Sequence, residues 1–596
     1  MPLTAQDVED LQSAFAALQT GNIPVADALV RKMPNAHLQP DALHLFGLIQ
    51  SAQGRLNQAR SLFEEAISIA PRNAQILNSY ANLLDDLGEI DSAISVFEKA
   101  IEIDPNYVDA MINLGIVATT AKRFQIADKS LRNATRISPE LSKGWSSRGW
   151  MEQQRGASEE ALNCFDKALR IAPSDIQVRQ NRAIALRMLD EPEAALAEFD
   201  QLIASGVATA DNLCMRAHIC GDLGHFEEAV IQYFDLLKVA PDHIDAHETL
   251  ARLLPQIGRH EAALNSYRAA LLNPNASLEL WRSALVTANE LADYDQLLAW
   301  VDAAEISLGS TLDFAILRAT ALGRIGDPRA ALEILQRLDD QLPDNAAVQS
   351  HLAHTLLLLG DPAKAEYHAL RATEFAPFDQ SGWSFLTIIW RLLDDPRERW
   401  LADYDRLVMP IDLIMPDDLA ALATTVEALH LTAEHPAEQS LRGGTQTRGN
   451  IFDKRTPDMR GFAAQVRTAV EASLAALPND RAHPFLRRNS GTIDFAGSWS
   501  VRLRSAGFHT NHIHQNGWLS SALYLSLPSE VGVSSDAGAL TFGVPDAAYG
   551  FDLAPRRIER PRAGTLVIFP SYFWHGTMPF ESQSPRLTMA FDAVPA

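Results

Sequence analysis

The chain has 596 residues, of which 47% are hydrophobic, enough to bury several domain-sized cores. Its 51 Lys plus Arg stand against 75 Asp plus Glu, a formal charge of -24 and the reverse of the basic footprint that phosphate neutralisation requires, so no nucleic-acid partner is expected. The opening residues MPLTAQDVEDLQ lack the basic and apolar regions of a leader, and no apolar run approaches the roughly 20 residues of a membrane span, so a cytoplasmic protein without a membrane partner is expected.

From the N-terminus onward the dominant signal is internal repetition. Gly47, Ala59, Phe63, Ala66 and Pro71 recur at one fixed interval as Ala81, Ala93, Phe97, Ala100 and Pro105, and then as Gly115, Ala127, Leu131, Ala134 and Pro139. A further step brings Gly149, Ala161, Phe165, Ala168 and Pro173. The register continues through Ala195 and Phe199, Ala229 and Tyr233, and Ala263 and Tyr267, then returns at Ala331 and Ala365. Residues 278–310 are the least regular stretch and read as a degenerate repeat. Small residues let two antiparallel helices approach, the aromatic fills the groove between them, and proline ends the second helix. The pattern resembles the tetratricopeptide repeat. That resemblance implies an all-α superhelix of about ten or eleven helix-turn-helix units over residues 1–400, with a groove that binds a protein or peptide partner. The three cysteines, Cys164, Cys214 and Cys220, fall in this helical part without CxxC spacing and read as buried thiols.

After Pro377 the period is broken by Pro396 and Pro410, so residues 401–440 read as a helical linker and 441–596 as a second domain. The glycines 443, 444 and 449 suggest a phosphate loop, yet the GK[ST] ending is missing. The stretch from Arg442 to Gly449 therefore reads as an ordered turn region whose arginines or Gln446 can reach a nearby site. One helix, FAAQVRTAVEASLAAL, precedes the strand-like segments GSWSVRLR, WLSSALYLSL, GALTFGVP, GTLVIFP and RLTMAFDAV, which predict a helix packed on an antiparallel barrel.

The chemistry sits in HTNHIHQNGWLSSALYL, FPSYFWHGTMPF and PRLTMAFD. Strand side chains alternate with period two, so His512 and His514 in an HxH strand share a face and can bind one metal. His575 is expected at the end of a non-adjacent strand as a third ligand, while His509, three residues before His512, is expected to face away. Imidazoles suit iron, copper, nickel and zinc alike, so the ligands do not choose the metal. Arg586 and Thr588 offer a charged fork and a hydroxyl to a buried carboxylate. Asp494, Asp536, Asp546 and Asp592 are each candidates for a carboxylate ligand, but none has ligand spacing and solvated loop positions are the expected reading.

These motifs together, over about residues 440–596, resemble the 2-oxoglutarate and Fe(II)-dependent oxygenases of the prolyl 4-hydroxylase-like superfamily. The resemblance implies a double-stranded β-helix (jelly-roll) with flanking helices. It also implies Fe(II) held by His512, His514 and His575, 2-oxoglutarate gripped by Arg586 with Tyr524 and Thr588, and O2 as oxidant. Asn516 in HQNGW either hydrogen-bonds near the metal or forms a turn before Gly517. One departure stands out, because position 514 is histidine where the usual triad has a carboxylate: either three imidazoles hold the metal, or His514 is not a ligand and two protein ligands hold it, as a resemblance to aspartyl/asparaginyl β-hydroxylases permits. The expected activity is hydroxylation of a polypeptide presented by the repeats. The alternative is a repeat scaffold for protein assembly whose oxygenase-like domain is degenerate or serves as a sensor.

Overall fold

The computed structural model describes residues 5–33, 39–413, 419–436, 439–453, 457–532 and 535–596. The chain divides into two compact units, Met1–Gly206 and Val207–Ala596.

The described residues of the first unit form helices joined by short turns. After the hairpin Ala5–Gln19 and Ile23–Lys32, first helices begin at Pro40, Ala74, Val108, Ser142 and Ile176, at equal intervals that match the sequence period. Local chemistry explains where they start and stop. Asn73 accepts from the N–H groups of Gln75 and Ile76, and Asp175 accepts from Val178, each cap contributing about 1 kcal/mol. Second helices end at Ile69, Ile103, Ile137 and Ile171, two residues before the prolines of the repeat. The small residue of the first helix faces the aromatic of the second. A Cβ on Gly149 would lie 2.6 Å from the Phe165 ring, and one on Gly47 would lie 2.9 Å from Phe63, so in these units the aromatic ring packs directly on the first helix and a larger residue would have to push it back.

The same period runs unbroken into the second unit, where first helices begin at Ala210, Ile244, Leu278, Leu312, Ala346 and Gln380. The expected degenerate repeat over 278–310 is regular, with helices Leu278–Glu290 and Tyr294–Leu308. Its letters hide the register because volumes are exchanged: Leu285 stands at the small position and Val301 at the aromatic one, and both are fully buried. The irregular repeat is the one before it, where a 3-10 turn His260–Ala262 and a short helix Asn265–Ala270 replace a full second helix.

Among the described residues nine strands follow: β1 (Met409–Asp412), β2 (Leu441–Gln446), β3 (Ile493–His509), β4 (Leu519–Ser526), β5 (Leu540–Phe542), β6 (Arg557–Glu559), β7 (Thr565–Pro570), β8 (His575–Thr577) and β9 (Arg586–Pro595). They form an antiparallel sheet of order β1-β7-β4-β9-β3-β2 and a smaller one of order β6-β5-β8. The two sheets meet where Phe542 packs edge-on against Phe569, with ring centres 4.9 Å apart. Segment 401–440, read as a helical linker, contains the helices Tyr404–Leu407 and Leu419–Glu427 together with edge strand β1; its residues 414–418 and 437–438 lie outside the described residues. The glycines after Arg442 belong to β2 and serve the backbone. Gly443 has φ +69°, the pairing with β3 shifts register beside it, and a Cβ on Gly444 would lie 2.5 Å from the Arg502 carbonyl.

Within this unit the repeats and the sheets share one core. Phe385, Ile388, Ile389 and Trp390 of the helix Gln380–Leu392 belong to the same buried cluster as Leu566, Phe569, Phe573 and Trp574. Polar contacts extend that union: Trp574 Nε1 donates to the Ser384 carbonyl at 3.1 Å, and Arg391 donates to the carbonyls of Gly543 and Ala554, both at 2.7 Å. The tryptophan and Phe573 are packing residues, as their apolar surroundings suggest. Among the described residues no helix is long and apolar enough to cross a membrane.

Candidate metal centre and co-substrate pocket

β3 ends at His509, the chain turns, and His512 returns as an isolated antiparallel bridge to His575, the first residue of β8. Both backbone bonds of that bridge form, at 2.9 and 3.0 Å. His514 follows in extended chain, its N–H donating to the Ser571 carbonyl at 3.0 Å. The HxH pair therefore lies just past a strand and His575 opens a strand, where full strand positions and a strand end were expected. The consequence for the side chains is unchanged: the Nε2 atoms of His512 and His514 are 3.2 Å apart, and ligand nitrogens of all three histidines lie within 4.8 Å of one another.

The tautomers follow from the outer nitrogens. His512 Nδ1 donates to the Thr510 carbonyl at 2.8 Å, His575 Nδ1 donates to the Phe573 carbonyl at 2.9 Å, and His514 Nδ1 faces both oxygens of Asp592 at 2.7 and 2.8 Å. With Nδ1 protonated in each ring, the Nε2 lone pairs point inward at one another. Two such nitrogens bound at about 2.1 Å to one metal would stand ~3.0–3.4 Å apart, which the observed spacing matches. Burial, aided by the neighbouring imidazoles, holds His512 down at about 3 and His575 well below its ordinary value, so the rings are in the neutral, ligating form. The three residues fit a divalent metal.

Asp592 corrects the reading of that aspartate as a solvated loop residue. It lies in β9, mostly buried, and also accepts from Ser520 Oγ at 2.7 Å. Its face of the strand carries Arg586, Thr588, Ala590 and Asp592, all lining one cavity, so the period-two parity of PRLTMAFD was the signal that could have found it. The carboxylate absent from position 514 thus stands one bond further out, behind the imidazole. His509 is a second correction. Because β3 ends there, alternation no longer applies, and its Nδ1 meets Ser440 Oγ at 3.0 Å while the same hydroxyl lies 3.2 Å from His512 Nε2.

Arg586, 2% exposed, begins β9 and stacks its guanidinium 5.1 Å from the Tyr524 ring centre. One arm donates to the Gly538 carbonyl at 2.6 Å, but Arg586 Nε and the Tyr524 hydroxyl are buried without a partner among the described residues. Each orphaned donor costs about 1–3 kcal/mol unless a ligand accepts from it. Burial raises the Tyr524 phenol, which keeps it a donor. A carboxylate satisfies both. Thr588, opposite Tyr524 across the β4–β9 pair, donates to the Val501 carbonyl at 3.3 Å and keeps its acceptor pairs for the cavity. Asn516 sits in an exposed turn and lines the same cavity.

The cavity measures about 690 Å³. Besides the histidines, Arg586 and Thr588, it is lined by Arg442 and Gln446 of β2 and by Asn289, Glu290, Tyr294 and Arg324 of the repeats. Arg324 is anchored there by Asp546 at 3.0 Å. Sequence reading had no route to the repeat residues, because nothing local distinguishes them from other exposed positions.

A family described as "Putative 2OG-Fe(II) oxygenase" matches residues 497–592, and tetratricopeptide-repeat families match residues 51–106, 214–277 and 326–389. The chain thus joins tetratricopeptide repeats to a C-terminal domain that matches the family described as putative 2OG-Fe(II) oxygenases. Protein FlbA of Caulobacter vibrioides is 25% identical over 230 residues, 37% of this chain and 38% of that protein. Human tetratricopeptide repeat protein 7B is 26% identical over 121 residues, 20% of this chain and 14% of its own length. The chain thus spans less than two-fifths of the length of these curated relatives. Among solved structures, a tetratricopeptide repeat protein from Parabacteroides merdae aligns at 20% identity, 39% of this chain, 93% of that chain and TM-score 0.33. Pseudomonas aeruginosa pilF aligns at 22% identity, 36% of this chain, 96% of that chain and TM-score 0.32.

Proposed function

We propose that this oxygenase domain is a non-haem Fe(II) and 2-oxoglutarate-dependent dioxygenase that hydroxylates a polypeptide presented by the repeats. The observation that carries the reading is the coincidence, in one cavity, of three converging imidazole nitrogens with the buried Arg586, whose Nε has no partner among the described residues and whose guanidinium stacks on Tyr524, a phenol equally without a partner among them. His512, His514 and His575 would hold the iron. Arg586 and Tyr524 would donate to the far carboxylate of 2-oxoglutarate, Thr588 would flank it, and Asn516 would line the same cavity. When bound, the iron supplies O2 activation coupled to decarboxylation of 2-oxoglutarate to succinate. The chain's own work is to aim the three Nε2 lone pairs, fix the co-substrate's orientation and keep the interior dry.

The protein-substrate part of the proposal draws on the cavity walls. A volume of about 690 Å³ lies well within the ~300–1,000 Å³ of sites that enclose drug-sized ligands, and exceeds what a five-carbon diacid fills. Asn289, Glu290, Tyr294 and Arg324 give the remaining space a polar wall made of repeat residues, suited to peptide amides and side chains.

The decisive experiment reconstitutes the full chain anaerobically with Fe(II) and measures succinate and CO2 from 2-oxoglutarate, with His575→Ala beside it. Wild type is expected to bind iron and form succinate, and the variant to do neither. Iron and 2-oxoglutarate binding without any succinate would favour the sensory scaffold instead. For the substrate class, a degenerate peptide pool and ¹⁸O2 are supplied to full-length protein. Incorporation of ¹⁸O into peptides by wild type, reduced at least ten-fold in Tyr294→Ala, is expected; equal incorporation would remove the repeats from substrate binding.

A further inference from the structure

The helix Ala210–Asp222 carries Cys214 and His218 four residues apart, one helical turn, so the two side chains project together. Asp245 stands in the first turn of the next first helix, Ile244–Gln256. Cys214 Sγ lies 3.7 Å from His218 Nε2 and 3.7 Å from Asp245 Oδ2, while His218 Nε2 and Asp245 Oδ2 are 3.1 Å apart. A tetrahedral Zn²⁺ bound at about 2.3 Å to sulfur and about 2.0 Å to nitrogen and oxygen would set these separations at ~3.5, ~3.5 and ~3.3 Å. The triangle is therefore close to that of a filled site.

The surroundings aim the same three atoms. His218 Nδ1 lies 2.9 Å from the hydroxyl of Tyr233, a fully buried residue of the second helix Phe226–Val239, which can accept from Nδ1–H and leave the Nε2 lone pair toward the cluster. Asp245 Oδ1 accepts from Thr249 Oγ1 at 3.4 Å, which leaves Oδ2 facing Cys214 and His218. Thiolate, imidazole and a single carboxylate oxygen form a set for Zn²⁺ or Co²⁺ and too soft a set for Mg²⁺ or Ca²⁺.

We propose that Cys214, His218 and Asp245 form a second metal site, for zinc, with three protein ligands and one open position, that clips two successive repeats together. It uses no residue of the histidine cluster and does not depend on the oxygenase reading. The absence of CxxC spacing is no obstacle, because on a helix the spacing that brings two ligands to one ion is a full turn. The bound thiolate replaces the buried thiol, with its proton released to solvent.

Cobalt(II) titration of the full-length chain tests this, because only a cysteine ligand produces a thiolate-to-cobalt charge-transfer absorption and the all-histidine site cannot. The band is expected at one equivalent in wild type and in His575→Ala, and is expected to vanish in Cys214→Ser. Asp245→Asn, a substitution at an exposed side chain that leaves the repeat core untouched, is expected to weaken Co²⁺ and Zn²⁺ binding at least ten-fold. A wild-type chain with no such band, a band that persists in Cys214→Ser, or affinity unchanged in Asp245→Asn would each overturn the proposal.

Discussion

The two ligand clusters of Val207–Ala596 are held in opposite ways. His512, His514 and His575 come from two segments tied together by backbone hydrogen bonds, lie in the wall of one cavity, and have each outer nitrogen engaged by a carbonyl or a carboxylate. Cys214 and His218 share one helical turn, and Asp245 is largely exposed on the neighbouring helix. The first cluster therefore depends on sheet register, the second on how two adjacent repeats stack. A perturbation of one should leave the other intact, which makes the pair its own internal control.

The largest separation of the two is expected from His575→Ala, which removes a ligand whose backbone also closes the bridge to His512. Iron binding and succinate formation should fall at least ~100-fold while the thiolate–cobalt band stays, as metal analysis and absorption titration would register. Next is Arg586→Met, which keeps the volume near Tyr524 and deletes the charged fork; the 2-oxoglutarate concentration for half-maximal succinate formation should rise by about 100-fold. An unchanged requirement would remove Arg586 from co-substrate binding. A smaller effect is expected for Asp592→Asn, which retains one acceptor for His514 Nδ1 but loses the charge. Iron affinity should drop ~10-fold, toward the lower end of the range for lost outer partners, with cobalt binding at Cys214 unaffected. The smallest is Tyr233→Phe, where zinc affinity should fall only a few-fold because His218 keeps its place on the helix; competition with a chromophoric chelator would measure it.

Much of this was legible in the sequence, to different depths in different places. The repeats could be read because each packing contact is short in sequence, as Gly149 against Phe165, and so returns in every unit at the same place. The reading lapsed at 278–308 because Leu285 and Val301 exchange volumes, so the packing persists while the letters change. Strands β3, β4, β5, β7 and β9 announced themselves by their apolar patterns. The four-residue β1, the glycine-bearing β2 and the three-residue β6 and β8 carry too little pattern and exist only by pairing. Among candidate site residues, His512, His514, His575, Arg586 and Thr588 were named from motifs and Tyr524 from the family resemblance, whereas His509 was misdirected by extending strand parity past a strand end, and Asp592 by overlooking parity within one.

By itself the sequence determined the repeat period, the apolar faces and the chemical identity of the ligands, since these are written in neighbours a strand alternation, a helical turn or one repeat apart. Tertiary structure alone decided that Asp592 stands behind His514, that Ser440 lies between His509 and His512, and that Asn289, Glu290, Tyr294 and Arg324 wall the cavity. It likewise brought Asp245 to Cys214 and His218. The reason is one of precision: amphipathic patterns tolerate shifts of an ångström or more, but metal ligands and buried hydrogen bonds require distant segments to converge within a few tenths, and only strand register and helix packing set distances that finely.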